Sequence, residues 1–142
     1  MRDLLSFVLP DFEYHNLFEV YKNIFLGKKL LIFDVDNTIF FPETTESTDK
    51  IIKWFKEVKN NSTCVFVSNS RSINKRKKLI TEKTGCNIFV TTRKKPSKKL
   101  FDDVVSHFSV DPKNIIVLGD RIFTDVLFGN LHGATTILLD PL

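Results

Sequence analysis

Leu30-Leu31-Ile32-Phe33-Asp34-Val35-Asp36-Asn37-Thr38 is the stretch that decides the fold. Four large apolar residues in a row suit a strand covered on both faces, the habit of parallel sheets. The run then ends in two aspartates. In an extended chain, side chains two residues apart project to the same side, so Asp34 and Asp36 point together while Val35 faces away. Two carboxylates held close repel, and such a pair calls for a cation or a shared proton.

The same pattern recurs along the chain. Strand-like runs rich in β-branched and aromatic residues cover 29–35, 63–68, 87–91, 114–118 and 135–139. Between them the spacing becomes helical. Ser47 and Thr48 are candidate caps for a helix that turns Ile51, Ile52, Trp54, Phe55 and Val58 inward. A second helix is predicted over 72–84, ended by Gly85. Pro96 is expected to open a third that runs to Phe108, and a fourth is predicted over 124–132, stopped by Gly133. Short strands alternating with helices predict βαβ units, and hence an α/β fold: a three-layer Rossmann-like sandwich with a central parallel sheet. No repeat or flexible linker interrupts it, so 1–142 is read as a single domain.

In such sheets ligands gather at the carboxyl ends of the strands. Asp34 and Asp36 end the first predicted strand, and Ser68-Asn69-Ser70 ends the second. Arg93-Lys94-Lys95-Pro96 follows the third, just before a predicted helix N-terminus, which favours anions. Gly119-Asp120, with Asp125 beyond, ends the fourth. Asp34, Asp36 and Asp120 are hard oxygen donors of the kind Mg²⁺ takes, while Ser68 and a lysine can hold phosphate oxygens. A hard-cation site facing an anion site is what phosphoryl transfer needs.

Composition narrows the alternatives. The 142 residues carry 42% hydrophobic and 27% charged residues, ordinary for a globular domain, with a formal net charge of +4. That charge is unevenly spread. From Arg71 to Lys99, eleven Lys or Arg residues face Glu82 alone, so the segment is +10 and the remainder −6. No apolar stretch approaches the roughly 20 residues of a membrane span. The opening MRDLLSFVLP, with Asp3 and a short apolar run, is expected to be neither a signal nor a transit peptide. Cys64 and Cys86 are too few for a disulfide framework and read as buried thiols. The acids after Asp36 lack EF-hand spacing, and neither a P-loop nor G-x-G-x-x-G is present.

Taken in order, Asp34-x-Asp36-x-Thr38, Ser68, Lys95 and Gly119-Asp120…Asp125 resemble the four motifs of the haloacid dehalogenase (HAD) superfamily. The segments LPDFEYHNLFEVY, KKPS and GDRIFTDVLFGN resemble its YqeG-like branch, which includes the mitochondrial phosphatidylglycerophosphate phosphatases. The resemblance covers the chain from Phe7 to Leu139. It implies a HAD-like fold and a Mg²⁺-dependent phosphomonoesterase. Asp34 would be the nucleophile that forms an aspartyl-phosphate, and Asp36 the acid/base. Thr38 would orient Asp36 and hold the phosphoryl loop. Ser68 and Lys95, with Asn69, would bind the phosphoryl group; Lys94 rivals Lys95, which is preferred because it precedes a proline as the family's lysine does. Asp34, Asp36 and Asp120 would hold the metal, and Asp125 would support them.

Many HAD enzymes insert a cap domain, but only about ten residues follow the first motif before the next helix, and 26 separate Ser68 from Lys95. No cap fits, so the site is expected to be open. An open site flanked by basic residues suits an anionic substrate too large to engulf. The expected substrate is phosphatidylglycerophosphate, met as a lipid headgroup at a membrane surface. Capless HAD domains also act on polynucleotide ends and phosphoproteins, and that alternative stays open. The expected location is cytoplasmic or peripheral on the inner face of a membrane, or the mitochondrial matrix in a eukaryote.

Overall fold

The computed structural model describes residues 3–142. Five parallel strands form one sheet: β1 (Phe12–Tyr14), β2 (Leu30–Phe33), β3 (Cys64–Phe66), β4 (Ile115–Gly119) and β5 (Thr135–Leu139), in the order β1-β5-β4-β2-β3. β2 lies between β3 and β4, which explains its unbroken apolar run: all four residues are buried. The pleat sends Leu31 and Phe33 into one core layer and Leu30 and Ile32 into the other.

On the first face sits α1 (Asp49–Asn61), capped by Thr48, whose hydroxyl accepts from the Ile51 amide at 3.1 Å. Its buried stripe of Ile51, Trp54, Phe55 and Val58 has the spacing that predicted it. Phe33 packs edge-on against Trp54, Phe55 and Phe66, with ring centroids 6.2, 5.0 and 6.4 Å away. α2 (Ile73–Thr84) ends at Gly85, whose φ of 72° is the left-handed conformation expected there. The other face carries α3 (Lys98–Phe108) and α4 (Leu127–Leu131), which bury Leu100, Phe101, Val104 and Phe128. This is the expected α/β sandwich. Both cysteines are free, and burial pushes their thiols up to about 12.

Four details depart from the sequence reading. The strand predicted over 87–91 reduces to a single bridge between Ile88 and Phe66. Phe66 exhausts that pairing through Asn87 and Phe89, and the chain then turns away toward the carboxyl edge of the sheet. β1 was not predicted. Three residues are too few to show periodicity, and the strand exists because β5 offers it an edge. Its entry is fixed by Asp11, whose carboxylate accepts from the Thr136 amide at 2.9 Å. The third helix begins after Pro96, with Ser97 as cap and Lys98 as first residue. The segment predicted as one helix over 124–132 is a wide π-type turn, Ile122–Val126, followed by α4. Here the amides of both Asp125 and Val126 bond to the Arg121 carbonyl, at 3.0 and 3.2 Å.

Phe33 is the ring that joins strand, helix and neighbouring strand, and it is fully buried. Phe33→Ala is expected to cost about 3–5 kcal/mol in urea-induced unfolding, the range for deleting a core aromatic.

Candidate active site

Asp34 is the first residue past β2, and its amide still bonds to Leu118 of β4 at 2.9 Å. The chain then wraps around one acceptor. The amides of Thr38, Ile39 and Phe40 all reach the Val35 carbonyl, at 3.3, 3.0 and 3.0 Å, with Asn37 at φ 62°. This tight turn holds Val35 in the core and leaves both aspartates at the carboxyl edge.

Lys95 is the hub of what gathers there. It is buried, and its ammonium donates to Asp125 Oδ1 at 2.6 Å and to Asp34 Oδ1 at 3.0 Å. Burial alone would push this lysine down, but Asp125 and then Asp34 outweigh it and hold the ammonium well above its usual range. Its backbone is fixed by Asn69, whose side-chain oxygen accepts from the Lys95 amide at 2.8 Å and whose amide donates to the Lys95 carbonyl at 3.0 Å. Lys94 stays exposed on the rim of the cleft.

Asp125 reaches Lys95 because Gly119 has no side chain. A Cβ there would lie 2.2 Å from the Asp125 carboxyl carbon. The π-type turn completes the placement by tucking Asp125 under the strand end, where it also accepts from the Arg121 amide at 3.3 Å. Asp34, Asp120 and Asp125 offer oxygens within 4.8 Å of one another. Burial, reinforced by the charges of Asp34 and Asp125, pushes Asp120 up to about 7. Its Oδ1 is buried with no hydrogen-bond partner among the described residues. Three carboxylates against one lysine, with an unpartnered oxygen among them, fit a hard divalent cation.

Asp36 stands apart from that group. Its two oxygens accept from Arg76 at 2.8 and 3.1 Å, and the ion pair is largely buried. Arg76 also reaches the Thr44 carbonyl at 2.9 Å and the Ser72 hydroxyl at 3.0 Å. Three of the predicted site residues make the following contacts. Asp36 faces a guanidinium rather than the carboxylate cluster. Thr38 is buried, and its hydroxyl makes no hydrogen bond, to Asp36 or otherwise, among the described residues. The Asn69 side chain bonds to the backbone of Lys95 and also lines the cleft.

Sequence reasoning missed two residues. Arg76 lay hidden in the basic run 71–83, and its only signal was its place one turn before the buried Ile80, on the inward side of α2. Glu43, at φ 59°, accepts hydroxyls from Ser70 and Ser72, which draw its carboxyl below the usual range. Around these groups opens a cleft of about 470 Å³, lined by Asp34, Asp36, Ser68 and Lys95 at one end and by Ser70, Arg71, Lys94 and Arg121 toward its mouth. None of the three histidines lines it. Between Asp34 and α1 the chain makes only a loop, and between β3 and Lys95 only α2 and an irregular stretch; among the described residues no inserted domain covers the opening.

The family model described as Mitochondrial PGP phosphatase matches residues 4–141. "Probable phosphatase YqeG" of Bacillus subtilis is 33% identical over 97% of this chain and 80% of its own length. "Phosphatidylglycerophosphate phosphatase 1, chloroplastic/mitochondrial" of Arabidopsis thaliana is 31% identical over 96% of this chain, and a mitochondrial phosphatidylglycerophosphatase of Saccharomyces cerevisiae 29% identical over 75%. The chain spans 42% and 63% of those two proteins' own lengths. Among solved structures, a haloacid dehalogenase-like hydrolase from Xanthomonas campestris shares the fold at a TM-score of 0.58, with 11% identity over 80% of this chain and 83% of that one.

The charge arrangement has two measurable consequences. Removing Arg76 leaves Asp36 charged without its partner, so Arg76→Ala is expected to cost about 3 kcal/mol or more in urea unfolding, and Arg76→Lys less. The second concerns Asp120. In the metal-free protein its folded-state carboxyl keeps a proton up to about pH 7, while the unfolded one loses it near 3.8. The native state binds more protons between those values, so this contribution is full below pH 3.8 and is lost as pH rises through 7. Thermal unfolding should therefore show Asp120→Asn gaining on the wild type as pH climbs from 4 to 8, provided chelator is present.

Proposed function

The chain belongs to the mitochondrial PGP phosphatase family, and from that premise we propose that it hydrolyses the phosphomonoester of phosphatidylglycerophosphate through an aspartyl-phosphate on Asp34. That it is a HAD-type phosphatase follows from the family match and the relatives' chemistry. The observation that carries the finer reading is Lys95, a buried ammonium held between Asp34 and Asp125 at the end of an open cleft.

In the first step an Asp34 oxygen attacks phosphorus and the bond from phosphorus to the headgroup oxygen breaks. Asp36 acts as the acid of this step and passes a proton to that leaving alkoxide. Because both Asp36 oxygens are engaged by Arg76, the carboxyl must release one guanidinium bond to reach the leaving group. In the second step water attacks the same phosphorus, Asp36 takes the water's proton, and inorganic phosphate leaves Asp34 restored. The Ser68 hydroxyl, on the cleft wall, donates to a phosphoryl oxygen. Lys95 pairs with Asp34 and offsets charge on the transferring group. Asp34 and Asp120 would hold Mg²⁺, which would stabilise the negative charge on the phosphoryl oxygens; the unpartnered Asp120 Oδ1 supports that placement.

The open cleft and its rim of Arg71, Lys94 and Arg121 support a large anionic substrate presented at a surface. Among the described residues no helix is long and apolar enough to cross a membrane, and the reading is of an enzyme that works peripherally, at a cytoplasmic or matrix face.

Phosphate release from phosphatidylglycerophosphate in vesicles should exceed release from a 3′-phosphorylated oligonucleotide and should vanish with chelator. Asp34→Asn should lower it about a thousandfold or more. Wild-type turnover by that variant would end the covalent mechanism, and faster release from the oligonucleotide would move the substrate to nucleic-acid ends.

A further inference from the structure

A short 3₁₀ turn, Leu4–Val8, precedes β1 and runs beside α4. Its carbonyls are gripped by one buried side chain: the Asn130 amide donates to the Phe7 and Leu9 carbonyls at 2.9 and 2.8 Å. Asn130 lies near the end of α4, and Asp11 enters the sheet beside Thr136, at the amino edge. The turn therefore points its first residues the opposite way, toward the carboxyl edge, where it packs against the Ile122–Val126 turn.

The result is a cluster of large apolar side chains left in solvent at the active edge. Leu4 is 82% exposed, Leu5 70% and Phe123 72%, with Ile122 partly exposed beside them. None of these four packs into either core layer. Ile122 and Phe123 directly follow Arg121, which lines the cleft, so the apolar cluster abuts the basic rim formed with Arg71 and Lys94. Asp3 is the acid at its border. Leu26, also exposed, precedes β2 at the amino edge, away from the cleft.

Apolar side chains next to a basic rim match the boundary between acyl chains and anionic headgroups, where rings and leucines enter the hydrocarbon and arginines stay with phosphates. The geometry points to Leu4, Leu5, Ile122 and Phe123 as a docking face for an anionic lipid bilayer, which sets the cleft mouth against the headgroup layer. The inference rests on the lipid-substrate reading and adds to it the surface and the orientation of approach. A protein seated this way meets its phosphoester without extracting the lipid, because the rim and the apolar cluster share one edge of the sheet. Apolar burial and electrostatic attraction then act together, each weak alone.

The test uses the intact protein and vesicles of phosphatidylcholine with about 30% phosphatidylglycerol, the range in which basic rims respond to surface charge. The triple variant Leu4→Ser, Leu5→Ser, Phe123→Ser should lose about tenfold or more in vesicle co-sedimentation, as expected for removing apolar groups from lipid. Its hydrolysis of water-soluble p-nitrophenyl phosphate should be unchanged, which also shows that it is folded. Phe123→Ser alone should give a smaller loss, and Leu26→Ser none. Vesicle binding by the triple variant equal to wild type overturns the docking face. So does a triple variant that instead loses affinity for a single-stranded oligonucleotide, since Phe123 would then be a base-stacking platform. A wild type that binds the vesicles but releases no phosphate from phosphatidylglycerophosphate in them keeps the docking face and removes the substrate reading.

Discussion

A lysine ammonium buried between two carboxylates is the interaction on which the rest of this site depends. Lys95 donates to Asp125 and Asp34, and neither burying the cation nor crowding the acids is tolerable alone. Several distant choices serve that one contact. Asn69 clamps the backbone of Lys95 from the end of β3, Gly119 clears the space that the Asp125 carboxyl fills, and the widened turn from Ile122 aims that carboxyl inward. The balance is still short of positive charge, for Asp120 sits in the same group with an oxygen that no described residue pairs.

A second ion pair works beside the first and is separate from it. Asp36 belongs to Arg76, and Arg76 ties the loop after β2 to the start of α2 through Thr44 and Ser72. The loop 34–38 is thus pulled by one cation from the α3 side and by another from α2. Two aspartates that the strand projects to one side are separated by the partners each finds. That separation gives them different surroundings: one lies against the buried lysine with the other acids near, the other against a guanidinium.

The uneven charge of the chain acquires a physical meaning here. Of the basic residues between Arg71 and Lys99, Arg76 and Lys95 are internal, each neutralised by acids of the same edge. Arg71 and Lys94 remain on the rim, and Lys98 and Lys99 pair along α3 with Asp102 and Asp103. The basic segment is therefore not one patch. Part of it is structural, part is a solvated helix face, and only the remainder confronts an incoming anion.

The strands and helices with long periodic patterns were legible in the residues alone. An apolar run bounded by aspartates, a helix stripe at three- and four-residue spacing and a glycine at a left-handed stop each follow from local chemistry. So does the gathering of Asp34, Ser68, Lys95 and Asp120 at one edge, since parallel strands leave their carboxyl ends together. What pairs with what within that edge was not legible. The resemblance gave Thr38 the task of orienting Asp36; the side chain that bonds both Asp36 oxygens is Arg76, forty residues on. β1 and the single bridge at Ile88 likewise depend on whether a neighbouring strand offers a free edge. Sequence fixes the period and chemistry of each segment because those are short-range properties of the chain. The partners of buried charges come from packing, because only the folded neighbourhood decides which opposite charge is near enough to compensate a lost hydration shell.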